Sequence, residues 1–93
     1  MTSIRVRYFS ILVGHAGIRA EDVILPDGST LAHLLEALTV HKPATFQATL
    51  LPQGRLSPMV RLIHNQRPVE ADSLNAVLAD GDELLLFPVV SGG

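Results

Sequence analysis

The sequence predicts a two-layer α+β fold, in which a mixed sheet of four to five strands packs on one main helix. Ile4, Val6 and Tyr8 alternate with two arginines and a phenylalanine, which is typical of a half-buried strand. Residues 31–38 place leucines at i, i+3, i+4 and i+7, which gives a helix one apolar stripe. Residues 83–88, ELLLFP, are apolar enough for a central strand. Because one helix covers only one sheet face, two layers follow.

Turn residues mark the elements between the first strand and the helix. Residues 19–25 are rich in branched side chains, and the short gap before them favours an antiparallel hairpin with the first strand. Gly14 and Gly17 bracket the loop of that hairpin. The stretch PDGST is dense in turn residues, so Ser29 or Thr30 is expected to cap the helix through its hydroxyl. The helix should end before the next proline.

The second half of the chain carries weaker patterns. Residues 39–58 hold three prolines and a glycine, which predicts a long connection with a short helical turn near 46–50. Residues 60–65 alternate and predict a third strand. The stretch NQRP should turn this strand, and Val69 is expected to begin a short edge strand.

Two further features precede the last strand. Leu74, Val77 and Leu78 have the spacing of a helical turn. The stretch ADGDE predicts a tight turn in which Gly81 takes a positive φ. The predicted order is therefore β-β-α-β-(β)-β.

Composition narrows the class of protein. The 93 residues suit one domain, 1–93, and 47% hydrophobic against 17% charged residues argues against disorder. A net charge of −2 gives no general attraction to nucleic acid. The N-terminal residues lack the pattern of a signal peptide, and no stretch reaches the ~18 apolar residues of a membrane span. We expect a soluble, cytoplasmic protein without nucleic-acid or membrane partners.

The sequence offers no catalytic or metal-binding constellation. Without cysteine, disulfides, thiolate metal sites and a cysteine nucleophile are excluded. The four histidines are spread along the chain without ligand spacing, so no metal site is expected. His33 is expected on the exposed side of the helix, and His64 as a half-buried strand residue. Asp27, Asp80 and Asp82 are expected first of all to form turns.

Strand alternation leaves an apolar set on the sheet face that points away from the helix. Phe9, Ile63, Leu85 and Phe87 should share that face with Arg5, Arg7, Arg61 and Glu83. A contiguous apolar patch of this kind often marks a protein contact. Scattered surface hydrophobics are an alternative explanation, and so is a patch covered by the connection 39–58.

The last fourteen residues carry a specific resemblance. DGDELLLFPVVSGG resembles the C-terminal signature of the MoaD/ThiS family of ubiquitin-like sulfur carriers, with a DGD turn before the strand, Phe-Pro at its end and Ser-Gly-Gly as the last residues. VRYF and PDGSTLAHLLEAL also resemble the first strand and the helix start of that family. The resemblance implies a β-grasp fold.

The resemblance also implies a carrier function rather than an enzyme. An E1-like enzyme of the MoeB/ThiF type would use ATP and Mg²⁺ to adenylate the carboxylate of Gly93. A sulfur donor, such as a cysteine desulfurase or sulfurtransferase, would convert it to a thiocarboxylate. The acceptor would be an enzyme such as the molybdopterin synthase large subunit (MoaE type), with this chain as the small subunit. The chain itself would bind no cofactor.

The resemblance assigns roles to the tail and to the outer sheet face. The tail 89–93 would project, with Val89, Val90 and Ser91 as an extended stem. Gly92 would leave room in a narrow partner channel. Phe9 and Phe87 match positions of apolar contacts to the large subunit, and the expected partner-binding set is completed by Ile63, Leu85, Arg7 and Arg61.

Departures from the family pattern leave the pathway open. Val89 stands where a second proline is frequent, Asn65-Gln66 stands where Asn-Gly is usual, and residues 39–58 match poorly. A carrier for thiazole, cysteine or another metabolite is therefore an alternative, as is a ubiquitin-like protein modifier. A β-grasp binding module with an idle tail is the alternative from another class.

Overall fold

The computed structural model describes residues 1–70 and 72–89. The tail residues 90–93 lie outside this range. Its elements in chain order are β1 (Thr2–Tyr8), α1 (Ile11–Ala16), β2 (Ala20–Leu25), α2 (Leu31–Thr39), α3 (Ala44–Leu50), a 3₁₀ turn (Pro52–Gly54), β3 (Val60–His64), β4 (Arg67–Pro68) and β5 (Glu83–Pro88). The predicted α+β class is confirmed, and two short helices accompany the main helix α2.

The five strands form one mixed sheet in the order β2-β1-β5-β3-β4. The β1–β2 hairpin is antiparallel, as predicted, and Ile4 lies opposite Val23. β5 occupies the centre, where it runs parallel to β1 and antiparallel to β3. Its sequence, apolar after Glu83, suits this position, since both of its edges are paired and its inner side chains Leu84 and Leu86 are fully buried.

The helix α2 covers the inner face of the sheet. Its four stripe leucines are all buried in one core with β1 and β5. Thr30 is the residue that caps it: its hydroxyl accepts the His33 N–H, and the His33 ring accepts the Thr30 N–H. The backbone N–H groups of Leu31 and Ala32 donate to the carbonyls of Ala76 and Leu74. The helix start is thus bonded to a distant part of the chain.

The loop predicted between Gly14 and Gly17 is instead the helix α1. It is only six residues long and contains a glycine, so its local pattern is weak. It forms because Leu12 and Ala16 are buried in the core and Gly17 ends it with a φ of 82°. Ser10, just before it, has a φ of 58° in a region that non-glycine residues rarely adopt.

Residues 39–58 contain more structure than predicted. The helical turn expected near 46–50 is the full helix α3, which buries Phe46 and Leu50 completely. The Tyr8 and Phe46 rings meet edge to face with centroids 5.6 Å apart. This segment therefore packs on the inner, helical side of the sheet.

Two predictions for the segment before β5 are corrected. The edge strand β4 is Arg67–Pro68, so it begins before Val69 and follows a two-residue turn at Asn65 and Gln66. No helical turn forms around Leu74 and Leu78 within the described residues 72–79. Instead, carbonyls of this segment accept the first N–H groups of α2, and the Leu78 N–H donates to the Ser29 carbonyl. These long-range bonds replace the local bonds of a helix.

No helix in the described ranges is long and apolar enough to cross a membrane.

Candidate functional site: an outer sheet face beside the chain end

The six predicted partner-binding residues lie next to one another on the outer face of the three central strands. In the first row across β1, β5 and β3, Arg7 lies opposite Leu85, and Leu85 opposite Ile63. A second row lies nearer the end of β5 and consists of Phe9, Phe87 and Arg61. We call this set of two rows the docking face. The strand register therefore unites residues that are far apart in sequence.

The rings of Phe9 and Phe87 stack on each other. Their centroids are 4.3 Å apart and their planes differ by 12°. The Phe9 N–H donates to the Leu86 carbonyl at 3.2 Å, which continues the β1–β5 pairing past the end of β1. Both side chains stay only half-buried. The stack thus presents an apolar surface at the strand end from which the chain terminus departs.

The arginines around the Phe9–Phe87 stack differ in whether they form ion pairs. Arg7 Nε lies 3.2 Å from Glu83 Oε2, and Arg5 Nε lies 2.7 Å from Asp22 Oδ1. Arg61 is exposed and makes no ion pair with any residue in the part of the chain that the structure describes. Its guanidinium is the cation on this face that can meet a carboxylate from a partner.

The connection 39–58 does not cover the docking face. α3 packs through Phe46 and Leu50 into the core on the opposite side of the sheet. The alternative of an internally covered patch is therefore wrong for the described residues.

The chain end is held to β3 up to Val89. The Val89 N–H donates to the Met59 carbonyl at 2.7 Å, one residue beyond the pairing of Pro88 with Val60. The Met59 N–H bonds to the Ser57 hydroxyl, the Ser57 N–H bonds to the Leu50 carbonyl, and Pro58 has no N–H. The predicted tail residues Val90, Ser91, Gly92 and Gly93 lie outside the described residues.

The ADGDE turn fixes the start of β5, and Asp82 is its centre. Gly81 has the predicted positive φ, at 89°. The Asp82 carboxylate accepts the Ala79 N–H at 2.9 Å and the Asn65 amide N–H at 2.8 Å, and its Oδ2 lies 2.8 Å from His64 Nε2. Burial by itself raises the pKa of Asp82, but these hydrogen bonds outweigh it and hold the pKa below its ordinary value.

The hydrogen bonds of Asp82 and Asn65 join two turns, the ADGDE turn before β5 and the turn between β3 and β4, which the sequence analysis treated separately. Asn65 also accepts the Glu83 N–H through its side chain at 2.9 Å. The β3–β4 turn is therefore bonded to the first residue of β5. The predicted half-buried position of His64 is confirmed, as is the exposed position of His33. The sequence signal for the network is the DGD turn itself, whose second aspartate is buried.

A second polar cluster was missed from the sequence. The Tyr8 hydroxyl donates to Glu21, and Lys42 Nζ lies 2.6 Å from the same Glu21 oxygen. Burial, together with the bond and charge of Glu21, raises the pKa of the Tyr8 phenol well above its ordinary value. Residues 8 and 21 lie in β1 and β2 and residue 42 lies in the connection between α2 and α3, so no local spacing reveals the cluster.

Among the described residues, no group of three or more histidine or acidic side chains is placed to hold a metal ion. The described part of the outer face offers apolar contact area and charged side chains.

The fold is a β-grasp, the α+β architecture of ubiquitin-like proteins. The sequence matches the family model described as ThiS family over residues 6–93. The chain therefore belongs to the ThiS family of ubiquitin-like sulfur carriers and modifiers.

Several relatives cover nearly the whole chain. Small archaeal modifier protein 1 of Haloferax volcanii is 34% identical over 87 residues, which span 94% of this chain and 97% of the relative. A crystal structure of that protein matches with a TM-score of 0.83 and 32% identity over 98% of this chain and 99% of its own.

Two further solved structures carry other descriptions. A putative molybdopterin converting factor subunit 1 from Pyrococcus furiosus matches with a TM-score of 0.80 and 27% identity, over 97% of this chain and all of its own. A chain from the BexX/CysO complex of Amycolatopsis orientalis matches with a TM-score of 0.73 and 25% identity, over 97% of this chain and 99% of its own. The family resemblance predicted from the C-terminal signature is confirmed.

Proposed function

We propose that this chain is a sulfur carrier whose reactive group is the carboxylate of Gly93. The observation that carries the proposal is the family match that extends through residue 93. The stacked Phe9–Phe87 pair supports it, because this apolar surface lies beside the strand that leads to residue 93. The cytoplasm, where ATP is available, is the compartment we propose.

In the proposed chemistry, an E1-like enzyme of the MoeB/ThiF type activates the carboxylate. A carboxylate oxygen attacks the α-phosphorus of ATP, with Mg²⁺ held by that enzyme, and pyrophosphate leaves. The outer sulfur of a persulfide on a cysteine desulfurase or a sulfurtransferase then attacks the acyl carbon, AMP leaves, and an acyl disulfide forms. A thiol reduces the S–S bond of this acyl disulfide and is itself oxidised to a disulfide. The resulting thiocarboxylate is the sulfur donor. Adenylation thus divides one difficult substitution into two easier ones.

The docking face binds the activating enzyme and the acceptor in this proposal. Phe9 and Phe87 are the apolar anchors, because aromatic side chains dominate the energetics of most interfaces. Arg61, exposed beside Phe87 in the strand register, pairs with a carboxylate of the partner. Leu85 and Ile63 extend the apolar centre towards β3. The residues 90–93 reach into the active site of the partner, where two glycines permit close approach.

We propose the large subunit of molybdopterin synthase (MoaE type) as the acceptor. The similarity to the Pyrococcus furiosus protein described as a molybdopterin converting factor subunit supports it. The similarity to a chain of the BexX/CysO complex supports an acceptor in another sulfur pathway, such as thiazole, cysteine or another metabolite. Incubation of the thiocarboxylated chain with a MoaE-type subunit and its pterin precursor distinguishes these acceptors by whether the thiocarboxylate is consumed.

A protein modifier is the second candidate function. The relative that is 34% identical is described as a small archaeal modifier protein, and this favours attachment of Gly93 to amines of other proteins. A modifier yields higher-mass conjugates in cells that disappear when Gly93 is deleted. A carrier yields a free thiocarboxylated chain instead.

The activation step is tested by exchange of labelled pyrophosphate into ATP. A purified ThiF-type enzyme with ATP and Mg²⁺ should show exchange that depends on this chain and is lost when Gly93 is deleted. The matched control is Glu36→Ala, an exposed change on α2 on the far side of the sheet, which should leave the exchange unchanged. Exchange that persists without Gly93 would disprove the proposed site of activation.

A further inference from the structure

The whole sequence contains a single lysine, Lys42. This matters for any protein that carries an activated carboxyl group, because the side-chain amine of lysine is the group that forms isopeptide bonds. In that reaction Nζ attacks the acyl carbon, a C–N bond forms, the bond to AMP breaks, and a proton passes to solvent. A lysine on the surface of the chain would therefore compete with sulfur for the activated tail of another copy.

The structure holds Lys42 away from solvent. Its side chain is only 8% exposed, and Nζ lies 2.6 Å from Glu21 Oε2. Nζ also lies 5.7 Å from the centroid of the Tyr8 ring and 5.4 Å from that of Phe46. A carboxylate and two aromatic faces thus surround the ammonium group.

The groups around Lys42 are themselves fixed. The Tyr8 hydroxyl donates to Glu21, and Tyr8 packs edge to face on Phe46, which is fully buried. Lys42 lies two residues before the start of α3, so its position depends on the packing of that helix into the core. Exposure of Nζ requires this corner of the core to open, and such local opening costs free energy.

We infer that the fold withholds the single side-chain amine of this chain from acyl transfer, so copies of the chain cannot be linked to one another through lysine. The consequence for acyl transfer rests on the proposed function, whereas the inaccessibility of Lys42 is independent of that function. The inference also separates two kinds of modifier, because this chain could be attached to other proteins but could not be extended into lysine-linked chains of itself.

The accessibility of Lys42 is tested with the N-hydroxysuccinimide ester of acetate, an amine acylating agent. The site and rate of acetylation are read by peptide mass spectrometry in native buffer and in denaturing urea. We expect acetylation of Lys42 to be at least about tenfold slower in native buffer than in urea, since it requires local opening. Equal rates in the two conditions would overturn the inference.

The matched control introduces an exposed lysine elsewhere. Arg67→Lys lies on the edge strand β4, where the native residue is exposed. The introduced amine should be acetylated at a similar rate in native buffer and in urea. If Lys42 in the same molecule reacts as fast in native buffer, Lys42 is accessible and the inference fails.

A second experiment measures transfer itself. The unmodified chain and the Arg67→Lys variant are each incubated with a ThiF-type enzyme, ATP and Mg²⁺ without a sulfur source. A self-linked dimer mapped to Lys42 would overturn the inference, whereas adenylation without such a dimer supports it. If no adenylate forms, the proposed function fails, while the acetylation result still decides the accessibility of Lys42.

Discussion

Phe9 and Phe87 stack across the parallel strands β1 and β5 with their ring centroids 4.3 Å apart. The contact joins the residue that follows β1 to the penultimate residue of β5, which lies 78 positions further along the chain (87 − 9). It forms because β1 and β5 run parallel and end at the same edge of the sheet. The apolar contact surface and the departure point of the tail therefore coincide.

Truncation of Phe87 should weaken the interaction with the activating enzyme. Phe87→Ala removes half of the stack while leaving the buried inner residues of β5 unchanged. We expect the dissociation constant for a ThiF-type enzyme to rise at least about tenfold, because truncation of an aromatic hot spot typically costs ~2 kcal/mol or more and a tenfold change corresponds to ~1.4 kcal/mol. Isothermal titration calorimetry measures this change.

The control for Phe87→Ala is Ile24→Ala. Ile24 is 59% exposed and lies opposite Ser3, at the other end of the outer face from Phe9. Its truncation should leave the dissociation constant unchanged. Equal effects of the two changes would show that the docking face lies elsewhere.

Removal of the Asp82 charge should alter the acid stability of the protein. Asp82→Asn provides one acceptor oxygen where the carboxylate provides two, so at neutral pH it should lower the free energy of unfolding by about 1–3 kcal/mol. The folded pKa of Asp82 lies below its unfolded value, so its stabilisation is present above about pH 4. It is lost as the pH falls through the folded pKa. Urea unfolding from neutral pH to pH 2 measures the difference between the two chains.

The difference in the free energy of unfolding between the native chain and Asp82→Asn should therefore become smaller as the pH falls. Asp72→Asn, at an exposed position, is the control and should not change the pH profile. A difference in the free energy of unfolding that stays constant from neutral pH to pH 2 would contradict a stabilising role of the ionised carboxylate.

The β3–β4 turn should become more stable when Gln66 is replaced by glycine. Gln66 has a φ of 70°, a left-handed conformation that costs most residues about 1–2 kcal/mol but suits glycine. After allowance for the greater entropy of unfolded glycine, Gln66→Gly should raise the free energy of unfolding by ~1 kcal/mol. The melting temperature should rise by roughly 4–8 °C. Gln66→Ala keeps the unfavourable φ, so an equal rise there would disprove this explanation.

The ion pair between Glu21 and Lys42 should show strong coupling. Glu21→Gln leaves the Lys42 ammonium buried without its carboxylate and should lower the free energy of unfolding by about 2 kcal/mol. This loss is smaller than that for a fully buried ion pair, because the Glu21 side chain is 24% exposed. Lys42→Met should also destabilise. The double variant should be more stable than the sum of the two losses predicts. Additive losses in urea unfolding would show that the two groups act independently.

Local patterns predicted the elements whose stability is encoded locally. The leucine stripe of α2 and the apolar run of β5 needed no knowledge of the rest of the chain. α1 was missed because its six residues are stabilised by burial of Leu12 rather than by propensity. The prediction of a helical turn at residues 74–78 was wrong, because carbonyls of this segment accept the first N–H groups of α2.

More of the outer sheet face than of the polar clusters could be predicted from the sequence. Strand alternation alone placed the four apolar residues of the docking face on one side, since the side-chain period of a strand is two. The stack of Phe9 on Phe87 also depends on the parallel pairing of β1 with β5, which alternation does not specify. The Lys42 cluster depends on the packing of the connection between α2 and α3 against β1 and β2, and no local spacing encodes it.

The central claim is that Gly93 carries sulfur, and intact-mass spectrometry tests it most directly. The chain is incubated with a ThiF-type enzyme, ATP, Mg²⁺ and sulfide, beside a control chain that lacks Gly93. The account predicts the mass increase of one oxygen replaced by one sulfur, located in the C-terminal peptide and absent from the control. An unchanged mass despite adenylation, or an increase that persists without Gly93, would contradict it.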